Sequence, residues 1–265
     1  MNRLQKKLCD LKAERKKALV AFLTAGYPDL DTTRKLVPLL EENGVDIIEL
    51  GVPFSDPVAD GPTIQFSSEE ALRKGVHLDQ ILSVVGDVRK KTEVPLLLMS
   101  YLNPLFSPGI NKTAKQAKAK GVDGFIIPDL IPEESADIKQ LLDRNDLSLV
   151  YLAAPNTPAQ RLSSIDKATG SFVYIVSLMG VTGKRTMLPS TLKEFLSLTK
   201  EKIKHPRFLG FGISHPDHIA NVKDYVDGVI VGSAFIEIIR QTPDQKKRKK
   251  KLAAFVRSLR TALDK

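Results

Sequence analysis

The chain has 265 residues and a formal net charge of +9, and 42% of its residues are hydrophobic, which is enough for a large buried core. Its single cysteine excludes an internal disulfide and a multi-cysteine metal cluster, and its four histidines lack the spacing of paired metal ligands. No run approaches the ~18 to 20 apolar residues that span a membrane, and residues 1–10 are charged where a signal peptide is apolar. These features predict a soluble cytoplasmic protein without a metal site.

The positive charge is concentrated near the two ends of the chain. The runs are "ERKK" at residues 14–17 and "KKRKKK" at residues 246–251. Neither run is interleaved with the aromatic residues on which a single-strand binder stacks bases, so we expect no nucleic-acid partner. We interpret both runs as solvated helix ends, and a general attraction of phosphorylated metabolites is the alternative.

Eight short apolar runs recur along the chain and predict β-strands. In chain order they cover residues 18–24, 45–50, 95–101, 122–128, 147–153, 172–177, 207–213 and 227–233. Most are continuously apolar rather than alternating, which is typical of parallel strands buried on both faces.

The segments between these runs have helical periodicity and are long enough for crossover connections. The clearest predicted helices cover residues 31–43, 111–120, 132–144, 158–168 and 189–204. Eight strand–helix units predict an α/β protein, a single (β/α)8 TIM-barrel domain over residues 1–265 with additional helices. A doubly wound open sheet is the alternative, but no GxGxxG motif follows the first strand.

Two carboxylates occupy the positions where a barrel carries its chemistry, at the carboxyl ends of the strands. Glu49 lies near the end of the second apolar run, where burial should raise its pKa and let it exchange a proton near neutral pH. Asp60 lies in the following loop, where backbone donors should keep it ionised. The alternatives are an ion-paired acid for Glu49 and an Asp-Gly turn for Asp60.

Small residues after the last three strands predict a phosphate site. The backbone N–H groups of these loops can point at an anion, and the segment "SAFIEII" supplies an electropositive helix N-terminus. The candidate residues are Gly183, Gly212, Gly232 and Ser233. The pattern indicates a phosphorylated small-molecule ligand without specifying which one, and ordinary turn glycines are the alternative.

Five motifs carry a family resemblance that extends along nearly the whole chain. They are "FLTAGYPD", "ELGVPFSDPVADGPTIQ", "GVTG" at residues 180–183, "GFGIS" at residues 210–214 and "DGVIVGSA" at residues 227–234. In this order and spacing they resemble the tryptophan synthase α subunit family. The resemblance implies a lyase of tryptophan biosynthesis that cleaves indole-3-glycerol phosphate to indole and glyceraldehyde 3-phosphate. It also implies an α2β2 complex in which only the partner β subunit carries a cofactor, pyridoxal phosphate.

The resemblance assigns roles to individual residues. Glu49 matches the residue that exchanges protons, and Asp60 matches the residue that accepts the indole N–H. Tyr174 and Thr182 match polar residues near Glu49 and the glycerol part of the substrate. Apolar side chains that match the walls around the indole are Phe22, Ile64, Met99, Ile126 and Phe211.

The loop at residues 53–62 is a candidate partner surface. Three prolines restrict its backbone, and we expect it to expose Phe54 and Val58 beside Asp56. The resemblance implies that the β subunit covers this loop, with Pro53 and Asp56 at the interface. The alternative is that Phe54 and Val58 fold back onto the barrel.

The chain departs from the family pattern at a few positions. Leu178 and Met179 stand where the family usually has an arginine followed by a small residue, and Met99 and Pro128 are atypical wall residues. These departures bear on coupling to the β subunit more than on catalysis.

Two other functions remain open. One is another phosphate-binding barrel enzyme, which would be expected to use a strand-end lysine that this chain lacks. The other is a regulatory partner of a β subunit without catalysis, against which Glu49 and Asp60 argue.

Overall fold

The eight predicted runs form parallel strands that close into a barrel in chain order. A computed structural model describes residues 1–177, 189–210 and 212–265. The strands are β1 (Ala18–Thr24), β2 (Ile47–Gly51), β3 (Leu96–Met99), β4 (Gly124–Ile126), β5 (Ser148–Ala153), β6 (Val173–Val176), β7 (Arg207–Gly210) and β8 (Gly228–Val231). The pairing of β1 with β8 completes the closure, so the (β/α)8 prediction is confirmed and the open sheet is wrong.

Helices of the described residues surround this barrel. They are α1 (Arg3–Ala13), α2 (Leu30–Glu42), α3 (Pro62–Arg73), α4 (Leu78–Arg89), α5 (Leu102–Phe106), α6 (Ile110–Lys120), α7 (Ala136–Arg144), α8 (Ala159–Ala168), α9 (Ser190–Lys202), α10 (Pro216–Val222), α11 (Ser233–Gln241) and α12 (Gln245–Asp264). Short 3₁₀ turns cover Pro132–Glu134 and Lys223–Tyr225. Within the described residues, no helix has both the length and the apolar character needed to cross a membrane.

Two boundaries differ from the sequence-based prediction for identifiable reasons. The helix predicted at residues 132–144 is divided into a 3₁₀ turn and α7, because the Ser135 hydroxyl bonds to the Pro132 carbonyl at 2.9 Å and lies 2.5 Å from the Tyr151 hydroxyl. The third strand ends at Met99 rather than Tyr101. Ser100 and Tyr101 are nonetheless buried, so the apolar run continues into a loop that is covered rather than exposed.

The strands separate two hydrophobic cores by the alternation of their side chains. In β1, Ala18, Val20 and Phe22 belong to the barrel interior, whereas Leu19, Ala21 and Leu23 belong to the layer between sheet and helices. Leu4 and Leu11 of α1 also join the interior cluster, so α1 closes the amino-terminal end of the barrel. The carboxyl ends of the strands, where barrels of this kind carry their active sites, lie at the opposite end of the barrel.

A repeated Val-Asp dipeptide fastens the barrel at its amino-terminal end. Asp46, Asp123 and Asp227 each accept a hydrogen bond of 2.9 Å from a backbone N–H of the preceding strand in space: Leu19 of β1, Leu96 of β3 and Arg207 of β7. Each aspartate also pairs with an arginine: Arg260 at 2.9 Å, Arg89 at 3.0 Å and Arg207 at 3.1 Å. Charge-assisted bonds of this kind hold neighbouring strands in register.

Candidate active site

Glu49 points into the barrel from the middle of β2. It lies two residues after Ile47, a member of the interior cluster, and therefore shares its face of the strand. The side chain is fully buried, and neither carboxylate oxygen accepts a hydrogen bond from a described residue. Burial raises the pKa of Glu49 to about 8. At this pKa the carboxyl group is mostly protonated at neutral pH, and no described lysine or arginine forms an ion pair with it.

Tyr174 of β6 lies close enough to Glu49 and Asp60 for their charges to affect its pKa. Its pKa is raised well above the ordinary value, first by burial and then by the negative charges of Glu49 and Asp60. Gly210 of β7 makes room for this ring, because a Cβ atom at that position would lie 2.3 Å from the Tyr174 hydroxyl. The tyrosine is therefore held as a neutral hydroxyl among the candidate catalytic groups.

Asp60 lies just before α3, in the loop that follows β2. Burial raises its pKa to about 6, and a hydrogen bond with the Tyr101 side chain partly opposes that shift. The Tyr101 hydroxyl also accepts the Ala59 N–H at 2.8 Å, which ties the loop to the end of β3. The backbone donors expected around the Asp60 carboxylate are not among the hydrogen bonds of the described residues, and Tyr101 takes their place. At pH 7 the carboxyl group is still mostly ionised.

A cleft of about 290 Å³, including the space open to solvent, lies at the carboxyl end of the strands and contains Asp60. Three of the predicted wall residues, Phe22, Ile64 and Met99, line it. Ile126 is fully buried in the same interior cluster as Met99, with which it pairs across β3 and β4. Gly51 leaves space for the Phe22 ring, since a Cβ atom there would lie 2.4 Å from Cζ of that ring. These residues form the apolar wall of the cleft, and Asp60 places a carboxylate at its edge.

Sequence reasoning missed most of the polar lining of this cleft. The unpredicted lining residues are Thr24, Gly51, Ser68, Ser100 and Tyr101, together with Pro128, which was noted only as atypical. Five of the six stand within two residues of the end of a strand, and that position is the sequence signal that could have identified them. Tyr101 matters most, because it contacts both Asp60 and the loop that carries it.

The candidate phosphate residues are only partly described. Gly232 immediately precedes α11, and Ser233 is its first residue and is exposed. Gly212 has a φ of +95°, a left-handed conformation that favours glycine, and its carbonyl oxygen lies 3.2 Å from His218 Nδ1. The candidates Gly183, Thr182 and Phe211 lie outside the described residues, as do the departures at Leu178 and Met179.

The loop at residues 53–62 exposes less apolar surface than expected. Val58 is 87% exposed, but Phe54 is half-buried and packs on Tyr101 with ring centroids 5.3 Å apart. The expectation that Phe54 is exposed is therefore wrong, because the aromatic ring of Tyr101 offers it a packing surface. Asp56 is exposed and accepts the Ser55 hydroxyl at 2.5 Å, whereas Pro53 is buried.

These features define a (β/α)8 barrel that carries two carboxyl groups of raised pKa, one inside the barrel and one at the carboxyl end of its strands. A family model described as tryptophan synthase alpha chain matches residues 8–264. The chain is 45% identical to the tryptophan synthase alpha chain of Geobacter sulfurreducens over 264 residues, covering 99% of each chain. The chain belongs to the tryptophan synthase alpha chain family, as its motifs predicted.

Solved structures give the same relationship at the level of the fold. The tryptophan synthase subunit alpha of Legionella pneumophila superposes with a TM-score of 0.92 at 39% identity, covering 100% of this chain and 99% of that one. A chain of the tryptophan synthase α2β2 complex of Pyrococcus furiosus has a TM-score of 0.86 at 38% identity, covering 92% of this chain and 98% of that one.

Proposed function

We propose that this chain cleaves indole-3-glycerol phosphate to indole and glyceraldehyde 3-phosphate, as the α subunit of tryptophan synthase. The observation that carries the proposal is the difference in pKa between two carboxyl groups of one site, about 8 for Glu49 and about 6 for Asp60. Between these values one carboxyl group can donate a proton while the other stabilises positive charge.

The two groups divide the work of a retro-aldol cleavage. Glu49 donates its proton to the indole ring carbon that bears the glycerol chain, and Asp60 accepts the ring N–H and stabilises the resulting cation. The bond between that carbon and the chain then breaks. Its electrons return to the ring, and Glu49 takes the proton of the neighbouring side-chain hydroxyl as the aldehyde forms. Glu49 thereby regains its proton, so the step needs no cofactor.

The rest of the site binds and orients the substrate in this proposal. Phe22, Ile64 and Met99 contact the faces of the indole ring, with Ile126 beneath them and Phe211 as a further wall. Tyr174 and Thr182 lie near Glu49 and the glycerol hydroxyls. The phosphate binds at the start of α11, where the helix dipole and the N–H groups of the small residues favour an anion. That subsite consists of Gly183, Gly212, Gly232 and Ser233.

The partner in this proposal is a tryptophan synthase β subunit within an α2β2 heterotetramer. The similarity to a chain of the Pyrococcus furiosus α2β2 complex supports it, and so does the 87% exposure of Val58 beside Asp56. Pro53 is buried, so we assign it to shaping the loop from beneath. Pyridoxal phosphate is expected in the β subunit alone. We place the activity in the cytoplasm, because a charged phosphorylated substrate does not cross a membrane unaided.

Indole formation from indole-3-glycerol phosphate, measured with and without a purified β subunit, tests the proposal. We expect slow indole release by the chain alone and faster release in the complex. If the chain releases no indole under either condition but accelerates the β reaction, it is a regulatory partner. Among the described lining residues of the cleft there is no lysine, which counts against a barrel enzyme that uses one.

A further inference from the structure

Among the arginines that pair with Asp46, Asp123 and Asp227 as described above, Arg207 differs from Arg89 and Arg260. Arg89 donates through all three guanidinium nitrogens, to the Asp123 carboxylate and to three backbone carbonyls. Arg260 likewise uses all three nitrogens, on Asp46, Asp264 and one backbone carbonyl. Every nitrogen of both guanidinium groups therefore has at least one partner within the fold.

Arg207 has donor capacity that the described fold does not use. Its Nε donates to Asp227 at 3.1 Å, but its buried Nη1 has no hydrogen-bond partner among the described residues. The side chain is only 9% exposed, whereas the Asp227 side chain is 46% exposed. A buried guanidinium N–H without an acceptor is costly, so this position favours an anionic ligand.

Arg207 lines a cleft of about 990 Å³, including the space open to solvent. The cleft lies between the last turn of α1, the segment leading into β1, and the segment that joins α9 to β7. All of these are at the amino-terminal ends of the strands, opposite Glu49 and Asp60. The cleft is therefore separate from the active site.

The charge of this cleft is strongly positive. Besides Arg207, the cationic lining residues are Lys12, Arg15, Lys16, Lys17, Lys200 and Lys204, and the acidic lining residue is Asp227. Lys16 pairs with Glu14 at 2.8 Å, and the Lys17 ammonium donates to the Val226 carbonyl at 2.8 Å. The other four have no ion pair among the described residues. Much of the charge is thus available to a ligand.

We propose that this cleft is a second anion site, which binds a compact multivalent phosphate. Arginine presents a planar fork that matches phosphate oxygens, and the surrounding lysines add charge from several directions. The part of the cleft that water-sized molecules can fill is about 400 Å³, which is in the range of small-molecule sites and exceeds the need of a single phosphate. A free polyphosphate and the phosphate chain of a nucleotide share this chemistry. The inference is independent of the reaction proposed above.

Calorimetric titration of the full chain in about 0.15 M salt, where weak surface attraction is screened, tests this site. The probes are inorganic tripolyphosphate, ATP and adenosine. We expect the first two to bind one molecule per chain and adenosine not to bind. Equal affinity for tripolyphosphate and ATP indicates that the phosphate chain alone is recognised. Tighter binding of ATP indicates that the base adds contacts, and comparable binding of adenosine overturns the proposal.

A pair of double variants separates a built site from general attraction. Lys12→Gln with Lys204→Gln removes two exposed cations of the cleft, and Lys246→Gln with Lys250→Gln removes two exposed cations of α12 as the matched control. We expect the first to weaken tripolyphosphate binding by about three- to twentyfold and the control to leave it unchanged. Indole release should be the same in both. Equal weakening by the two double variants, or no binding to the wild type, overturns the site.

Discussion

At the scale of single residues, the candidate site depends on two carboxyl groups whose surroundings differ. Glu49 lies inside the barrel among apolar side chains, whereas Asp60 lies at the edge of the cleft beside the Tyr101 hydroxyl. The first environment favours the neutral acid more strongly than the second. Neither pKa is expected from a free carboxyl group, and both require the folded barrel.

Glu49→Gln should nearly abolish indole release while preserving the fold, because the amide has the same shape but cannot exchange a proton. Loss of a general acid–base group typically lowers the rate by ~10²- to 10⁴-fold. The measurement is steady-state indole formation, with Glu69→Gln on the exposed surface of α3 as the matched control. A Gln variant within a few-fold of wild type would exclude Glu49 as the proton carrier.

The same variant tests the pKa of Glu49 through stability. The folded-state pKa of about 8 lies above the ordinary pKa of 4.5 for a glutamate, so between these values the folded chain binds more protons than the unfolded chain. The free energy of unfolding contributed by this group therefore falls as pH rises from about 4.5 to about 8. We expect Glu49→Gln to raise the urea midpoint relative to wild type at pH 8 but not at pH 4.5. Equal differences at both pH values would contradict a raised pKa.

Asp60→Asn should remove most cleavage while retaining substrate binding, because the ring cation loses its counter-charge. The wild-type pH profile of indole release should be bell-shaped, since activity requires an ionised group with a pKa of about 6 and a protonated group with a pKa of about 8. In Asp60→Asn the residual rate should lose its dependence on pH near 6. Unchanged turnover in Asp60→Asn would mean that Asp60 has no catalytic role and only forms the Asp-Gly turn.

At the scale of elements, the loop between β2 and α3 connects the candidate active site to the proposed partner surface. The Tyr101 hydroxyl binds the Ala59 N–H, and the Phe54 ring packs on the Tyr101 ring, so the inner side of the loop is anchored to the end of β3. Val58 and Asp56 remain on the outer side. A protein bound to the outer side could therefore change the position of Asp60.

Asp56→Ala should weaken association with the β subunit and reduce the stimulation of indole release more than the basal rate. Thermal stability should hardly change, because the exposed carboxylate bonds only to Ser55 among the described residues. Calorimetric titration with β subunit and parallel indole assays measure both effects. Asp10→Ala, exposed on α1 at the opposite end of the barrel, is the control. If affinity and stimulation are both unaffected, Asp56 does not carry the coupling.

At the scale of the whole molecule, the ends of the chain complete the barrel. The Asn2 side-chain amide donates to the Asp123 carbonyl and to the Ser148 hydroxyl, both at 3.1 Å, and Leu4 joins the interior cluster. At the other end, Arg260 of α12 bonds to Asp46 before β2. For this reason we propose that residues 1–265 form one domain.

Leu4→Ala tests whether α1 is part of that domain. The fully buried side chain leaves a cavity when truncated, which should lower the free energy of unfolding by about 2 to 5 kcal/mol. Urea unfolding followed by circular dichroism measures the effect, and Lys6→Ala on the exposed face of α1 is the control. A midpoint equal to that of the control would mean that α1 does not contribute to the barrel core.

The order of the eight strand–helix units, the family and the positions of Glu49 and Asp60 were determined by the sequence alone. Buried parallel strands must be apolar and crossover helices must be amphipathic, so each pattern is local and can be read from neighbouring residues. Only the tertiary structure decided three features: the packing of Phe54 on Tyr101, the Tyr101 hydrogen bond that partly opposes the rise in the pKa of Asp60, and the contrast between Arg89 and Arg207. Every guanidinium nitrogen of Arg89 has a hydrogen-bond partner, whereas Nη1 of Arg207 has none among the described residues. These three features depend on distances between segments that are far apart in the chain, and such distances cannot be read from the residues of one segment.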